Sequence, residues 1–250
     1  MINQQTQMIR AMMCVARNSV SGSSQKKTKA KINTPPHNVD FSRLNRCSAV
    51  YCYKTKGNTM RDIWVISDTH FRHANILKFT DSTTGDLVRG DRFADVDAMD
   101  EHMIEQWNSV VKQGDIVYHL GDVVMGDKEW FKKNWPRLNG SKRLIVGNHD
   151  DIPFLSSGGF FKKVSMWRMF PEFGLMFSHV PLHESSLCRG APGDPDAPVL
   201  LNVMGHIHQN PAPRGPYRCV CVEQTDYTPV HIETLAAEAK YYKETQLEPV

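Results

Sequence analysis

Repeatedly along this chain a short apolar run stops at an acid, an asparagine or a histidine. The first run is Ile63-Trp64-Val65-Ile66, four β-favouring residues that end in Ser67-Asp68-Thr69-His70. It reads as a buried strand, and period-two alternation would put Asp68 and His70 on one side of the chain just past its C-terminal end. In α/β sheets that rim is where loops gather and ligands bind. The arrangement recurs: Ile116–Leu120 ends in Gly121-Asp122, Leu144–Val146 in Gly147-Asn148-His149-Asp150, Gly174–Phe177 leads to His179, and Leu200–Met204 to Gly205-His206-Ile207-His208. Carboxylate oxygens and imidazole nitrogens without thiolate suit Mn²⁺, Fe or Zn²⁺ better than Ca²⁺. A single histidine in such a place is ordinary; only His37, His73, His102, His119, His183 and His231 of the 11 fall elsewhere.

Between these runs the chain reads as helix and loop, which places it among α/β folds. Phe71–Ile76 starts a short helix, and residues 81–95, rich in Asp, Gly and Thr, read as loop. Val96, Met99, Met103, Trp107, Val110 and Val111 recur at helical spacing. That helix is capped by Asp95 or Asp97 and closed by Gly114, its Met/Trp stripe being core. A second helix spans residues 127–135 and breaks at Pro136. One strand is expected around 164–169, and residues 184–198 read as a Pro/Gly/Asp-rich loop. Cys219–Val222 and Val230–Ile232 are expected to pair as adjacent strands before a polar helical tail.

Composition separates the chain into two parts. Residues 1–60 hold ten Lys/Arg against Asp40 alone, a net +9; subtraction leaves 30 − 10 = 20 basic and 27 − 1 = 26 acidic groups in 61–250, a net −6. The first segment has no sustained apolar period and cannot bury enough surface to order itself, so a disordered N-terminal extension, 1–60, is expected before one domain, 61–250. Three readings of the extension stand side by side: a leader before a start at Met60, an arm that binds nucleic acid or an acidic partner, or a transit-type presequence, since Met8–Val20 holds two arginines and no acid. No apolar run approaches the ~20 residues that span a bilayer, so no membrane partner is expected. The six cysteines lack Cys-x-x-Cys spacing, which fits a reducing, cytoplasmic compartment, with Cys219 and Cys221 as buried thiols.

Asp68-x-His70, Gly121-Asp122, Gly147-Asn148-His149-Asp150, His179 and Gly205-His206-x-His208 together resemble the five-block signature of calcineurin-like metallophosphoesterases. The blocks occur in order and cover residues 63–208. The resemblance implies a double β-sheet sandwich flanked by helices, four layers in all, with two metal ions at the strand ends. By the same resemblance Asp68, His70 and His208 would hold one metal, and Asn148, His179 and His206 the second, with Asp122 bridging. His149 would face the substrate instead, stabilising the transferring phosphoryl and protonating the leaving oxygen. Two cations of this kind clamp a phosphoryl group and acidify a shared water, giving hydroxide for in-line attack.

Departures from the family's phosphoprotein-directed pattern narrow the expectation. Met125 stands where the acid that would orient His149 belongs, Asp150 replaces a glutamate, and the neighbouring substrate-binding arginine is absent. Asp127 or a backbone carbonyl could orient His149 instead. His73 and Asn75 are candidate substrate contacts, Arg72 and Arg189 candidate phosphate clamps, and His119 and His183 structural residues. The expected function is hydrolysis of small phosphodiesters or phosphomonoesters with two divalent metals, manganese foremost. The alternatives are a nuclease helped by the basic arm and a metal-binding interaction module without catalysis. Oligomeric state is left open.

Overall fold

Residues 61–190 and 198–246 are described by this structure, a computed structural model. The basic segment 1–60 and residues 191–197 of the expected loop lie outside the described residues.

Strands β1 (Ile63–Ile66), β2 (Ile116–His119), β3 (Ser141–Ile145) and β4 (Lys163–Ser165) pair in parallel, and β9 (Val230–His231) joins β1 antiparallel, in the order β4-β3-β2-β1-β9. The second sheet has the order β5-β6-β7-β8, from β5 (Trp167–Phe170), β6 (Leu175–Ser178), β7 (Leu201–Met204) and β8 (Tyr217–Cys219), parallel except for β5. Alternation explains why the two central strands, β1 and β2, are apolar at nearly every position. Val65, Tyr118, Leu120 and Ile145 face the second sheet, whereas Ile66, Val117 and Leu144 face the helices, so both sides are buried.

The layer between the sheets is filled from the far side by Phe170, Leu175, Phe177, Leu201, Val203 and Val220. Tyr118 stands edge-on to Phe170 and Phe177, with ring centroids 5.3 and 5.6 Å away, and so ties the two sheets together. Over the outer face of the first sheet, α1 (Val96–Val110) lays Met99, Met103, Ile104 and Trp107, α2 (Lys128–Asn134) adds Phe131, and α3 (Ile152–Ser157) adds Leu155. The last helix, α4 (Ile232–Gln246), packs against β1, β6 and β7 and sends Ile232 and Leu235 into the layer between the sheets. The architecture is therefore α/β, two sheets face to face and flanked by helices, as the resemblance implied.

Three local expectations are corrected. The run 164–169 is two strands, because the chain crosses at Met166 from the edge of one sheet to the edge of the other. Its residues contain neither glycine nor proline, and Ser165 before the crossing is itself the last residue of β4, so the pattern gives little sign of the crossing. Cys219 and Val230 lie in different sheets: a 3-10 turn (Val222–Gln224) and left-handed Asp226 and Tyr227 carry the chain from β8 to β9, which pairs with β1. Helix α1 is capped by Asp95, which accepts from Ala98 N at 2.8 Å, and closes at extended Val111, short of Gly114.

Because Phe177 is fully buried between the sheets, Phe177→Ala should lower unfolding stability by about 3–5 kcal/mol. Urea denaturation checks this, with a shifted midpoint at unchanged slope expected.

Candidate metal centre

The ends of five strands converge through backbone turned into the left-handed region. Asp68 (φ 59°), His70 (φ 49°), Asp122 (φ 56°), His206 (φ 72°) and His208 (φ 51°) all occupy it, an uncommon conformation for residues with a side chain. Extended-strand alternation is thus not what places Asp68 beside His70. The exit of β1 runs along that of β2 instead, Asp68 N donating to Gly121 O at 3.0 Å and His70 N to Asp122 O at 3.0 Å.

Each of the two acids divides its oxygens. Asp68 Oδ2 accepts from Ser67 Oγ at 2.5 Å, His206 N at 2.9 Å and Cys221 Sγ at 3.2 Å, the thiol's pKa being pushed up by burial. Its Oδ1 has no partner and stands 3.8 Å from His70 Nε2 and 3.7 Å from His208 Nε2. Asp122 Oδ1 accepts from His149 N at 2.9 Å, while Oδ2 lies 3.6 Å from His70 Nε2 and 3.4 Å from His179 Nε2. The Asp122 carboxyl stays below its ordinary range: burial would raise it, but the His179 and His70 rings and the His149 amide hold the anion. Burial drives His70 down to about 2 against the pull of Asp122, so its ring is neutral and both nitrogens lack partners.

The histidines aim lone pairs at those oxygens. His179 donates from Nδ1 to Leu120 O at 2.7 Å, which turns Nε2 toward Asp122 Oδ2 and, at 2.8 Å, Asn148 Oδ1. Asn148 Oδ1 also meets His206 Nδ1 at 2.9 Å. His208 donates from Nδ1 to Glu223 Oε1 at 2.8 Å and leaves Nε2 for Asp68 Oδ1. Lone pairs facing carboxylate oxygens repel unless a proton or a cation lies between them. Although burial opposes it, the Asp122 carboxylate beside His179 pushes that imidazole up to about 9. A divalent cation would replace the proton, and the all-N/O donor set suits one. Asp68, His70 and His208 bring donor atoms within 4.8 Å of one another, and so do Asp68, Asp122 and His179.

With this geometry goes a match to the family model described as calcineurin-like phosphoesterase, over residues 61–202. The chain belongs to the calcineurin-like phosphoesterases. An uncharacterized protein of Methanocaldococcus jannaschii is 30% identical over 191 residues, covering 71% of this chain and 90% of its own length. The Gene 66 protein of Mycobacterium phage D29 is 33% identical over 97 residues, 36% of this chain and 41% of its own. A crystal structure of a protein of unknown function from Aquifex aeolicus superposes with a TM-score of 0.50 at 24% identity, covering 70% of this chain and 98% of that one, and speaks for the fold. His206 and His208 lie past the matched span, so their place in this calcineurin-like phosphoesterase rests on the contacts above.

Other predicted residues divide sharply. His149 is exposed, its ring centroid 5.8 Å from that of His70. Among the described residues neither Asp127 nor a backbone carbonyl bonds its ring: Asp127 caps α2 instead, accepting from Glu129 N and Trp130 N at 2.9 Å. Half-buried His73 packs 5.4 Å from His70, so it borders the site, whereas Asn75 sits exposed on the 3-10 turn Ala74–Lys78 with no hydrogen bond to the site among the described residues. Arg72 is no free clamp, being paired with Asp97 and Asp100 and lying over Trp130. Arg189 is exposed and pairs its N–H with Pro198 O, while His183 caps a turn through Ser185 N. His119 is buried against Thr69 Oγ1 at 2.9 Å, a structural residue as expected.

Two residues beneath the site escaped the sequence reading. Arg89, only 1% exposed, donates to Asp68 O at 2.7 Å and Thr69 O at 3.0 Å and pairs with Glu223 at 2.6 Å. Burial would raise Glu223, yet Arg89 and His208 hold it down at about 2, so it remains a carboxylate that fixes the His208 tautomer. Arg89 comes from a stretch that reads as loop, and Glu223 follows a strand-like run with no motif around it; a lone basic and a lone acidic residue far apart in sequence gave no signal. Asp150 was noted only as a replacement, but it accepts from Gly147 N at 2.8 Å, Val123 N at 2.9 Å and Asp122 N at 3.2 Å, which stitches two strand ends together.

Glu223→Gln should weaken Mn²⁺ binding about 10–100-fold while the folded structure persists. Calorimetric titration of the metal-stripped protein, with circular dichroism as the control for folding, checks the loss.

Proposed function

We infer that this chain hydrolyses small phosphodiesters or phosphomonoesters with two divalent cations, manganese foremost. The observation that carries the reading is the pair of carboxylate oxygens Asp68 Oδ1, which has no hydrogen-bond partner, and Asp122 Oδ2, each faced by two imidazole nitrogens. Asp68, His70 and His208 would hold one ion, Asn148, His179 and His206 the other, with Asp122 between them. The ions, when bound, supply positive charge to the phosphoryl oxygens and acidify a water.

This chain's own residues do the remaining work. His149, exposed beside His70, stands where a substrate phosphoryl would lie and can give a proton to the leaving oxygen. His73 borders the same opening and can contact a phosphate oxygen; Asn75 has less support, since it is exposed and makes no hydrogen bond to the site among the described residues. No carboxylate bonds the His149 ring among the described residues, which agrees with Met125 in place of an acid and favours small esters over phosphoproteins. The free thiols of Cys188, Cys219 and Cys221 suit a reducing compartment such as the cytoplasm, and no helix among the described residues is long and apolar enough to cross a membrane.

Bis-p-nitrophenyl phosphate with added Mn²⁺ is the test. Turnover should disappear with chelator and return with Mn²⁺, and His149→Ala should lower kcat by about 10²–10⁴-fold with metal content unchanged. Full metal binding without turnover would leave only the interaction-module reading, and cleavage confined to DNA would favour the nuclease.

A further inference from the structure

The acidic body conceals a strongly basic part. Residues 128–168 carry nine Lys/Arg against three acids, a net +6; the rest of 61–250 then holds 20 − 9 = 11 basic and 26 − 3 = 23 acidic groups, a net −12. Folding gathers some of that surplus around one cavity of about 410 Å³, within the range of small-molecule sites. Lys132, Lys142 and Lys162 line it together with Trp135 and Phe160, and none of its lining residues is acidic. It lies at the start of β3 and just ahead of β4, at the opposite end of the sheet from Asn148 and His149.

Lys142 is the unusual member. It is only 9% exposed, its Nζ donates to Leu138 O, and the Trp135 ring centroid lies 5.4 Å away. Burial alone draws its pKa down to about 8, still charged at neutral pH, and it forms no ion pair among the described residues. A buried ammonium ordinarily has an anion beside it. The Lys162 backbone runs beside it, its N–H donating to Lys142 O at 2.9 Å, while the Lys162 side chain is exposed. Among the described residues Lys132 pairs only with exposed Glu129 one turn away, a contact that is easily given up.

The geometry points to a second binding site, separate from the metal centre, that takes a small phosphorylated organic anion. The three ammonium groups would receive its phosphate, as lysines do elsewhere, and the half-buried Phe160 ring its flat or apolar part, while buried Trp135 backs Lys142 from the core. The charge complementarity selects an anion, and the size of this open cleft selects a small one.

The experiment follows glycine amide resonances of the full chain, loaded with diamagnetic Zn²⁺, during titration with adenosine diphosphate at physiological ionic strength. Gly140, Gly158 and Gly159 line the cavity, whereas Gly121, Gly147 and Gly205 adjoin the metal ligands, so the two sites report separately. The expected result is a saturable shift of the first three, weakened about tenfold or more in Lys132→Gln/Lys162→Gln while the second three respond as before. Both lysines are exposed, so the variant should keep its fold. Absence of a saturable shift at the cavity glycines, or equal affinity in the variant, would overturn the proposal. So would a short single-stranded oligonucleotide that shifts the same glycines at much lower concentration, since that reassigns the face to a polymer.

Discussion

Two half-satisfied carboxylates govern the rim of this molecule. Asp68 and Asp122 each give one oxygen to donors of the fold and leave the other facing imidazole nitrogens. A buried acceptor left without a donor costs on the order of 1–3 kcal/mol, and acceptors set against lone pairs cost more. The arrangement persists because surrounding contacts over-determine it. Ser67, Cys221 and the His206 amide hold Asp68, and the His149 amide holds Asp122. Such a site is preorganised for a cation, so ion binding and folding draw on the same free energy.

The same rim stores backbone strain. Left-handed conformations at Asp68, His70, Asp122, His206 and His208 each cost on the order of 1 kcal/mol for a residue with a side chain. The glycines in the motifs serve this crowding. A Cβ on Gly147 would collide with the Asp122 carboxylate, and one on Gly205 with Ser67 and Asp68, so glycine there makes room for ligand side chains more than for an ion. The two sheets, buried on both faces of the first, offset the strain: Val65, Leu120 and Ile145 between the sheets are at most 1% exposed.

What could be read beforehand follows from how locally each feature is encoded. Strand ends that stop in Asp, Asn or His are local, so the seven residues of the rim were named from sequence alone and come together here. Order within the sheets is not local. Little in Lys163–Phe170 marks Met166 as a crossing point, and the pairing of β9 with β1 instead of β8 depends on a turn at Asp226-Tyr227, which lacks the glycine that usually signals left-handed backbone. The residues beneath the rim were invisible for a related reason: Arg89 and Glu223 are 134 positions apart, and only the folded chain makes them partners.

That buried pair also sets the charge of the site. Arg89 and Glu223 cancel, and Asp150 is engaged with three backbone N–H groups, so Asp68 and Asp122 remain as the anions turned toward the histidines. Asn148 and neutral His70 add donors without adding charge. On the proposed reading, two divalent cations held by two carboxylates keep a net positive charge, and that surplus is what a phosphoryl group answers. A third carboxylate in place of Asn148 would bind the ions more tightly and attract the ester less. Without Arg89, the Glu223 charge would reach the rim through His208 and have the same effect. On that reading the neutral amide at the strand end and the cancelled pair below it would serve one electrostatic purpose: they would leave the charge of the bound ions available to the ester.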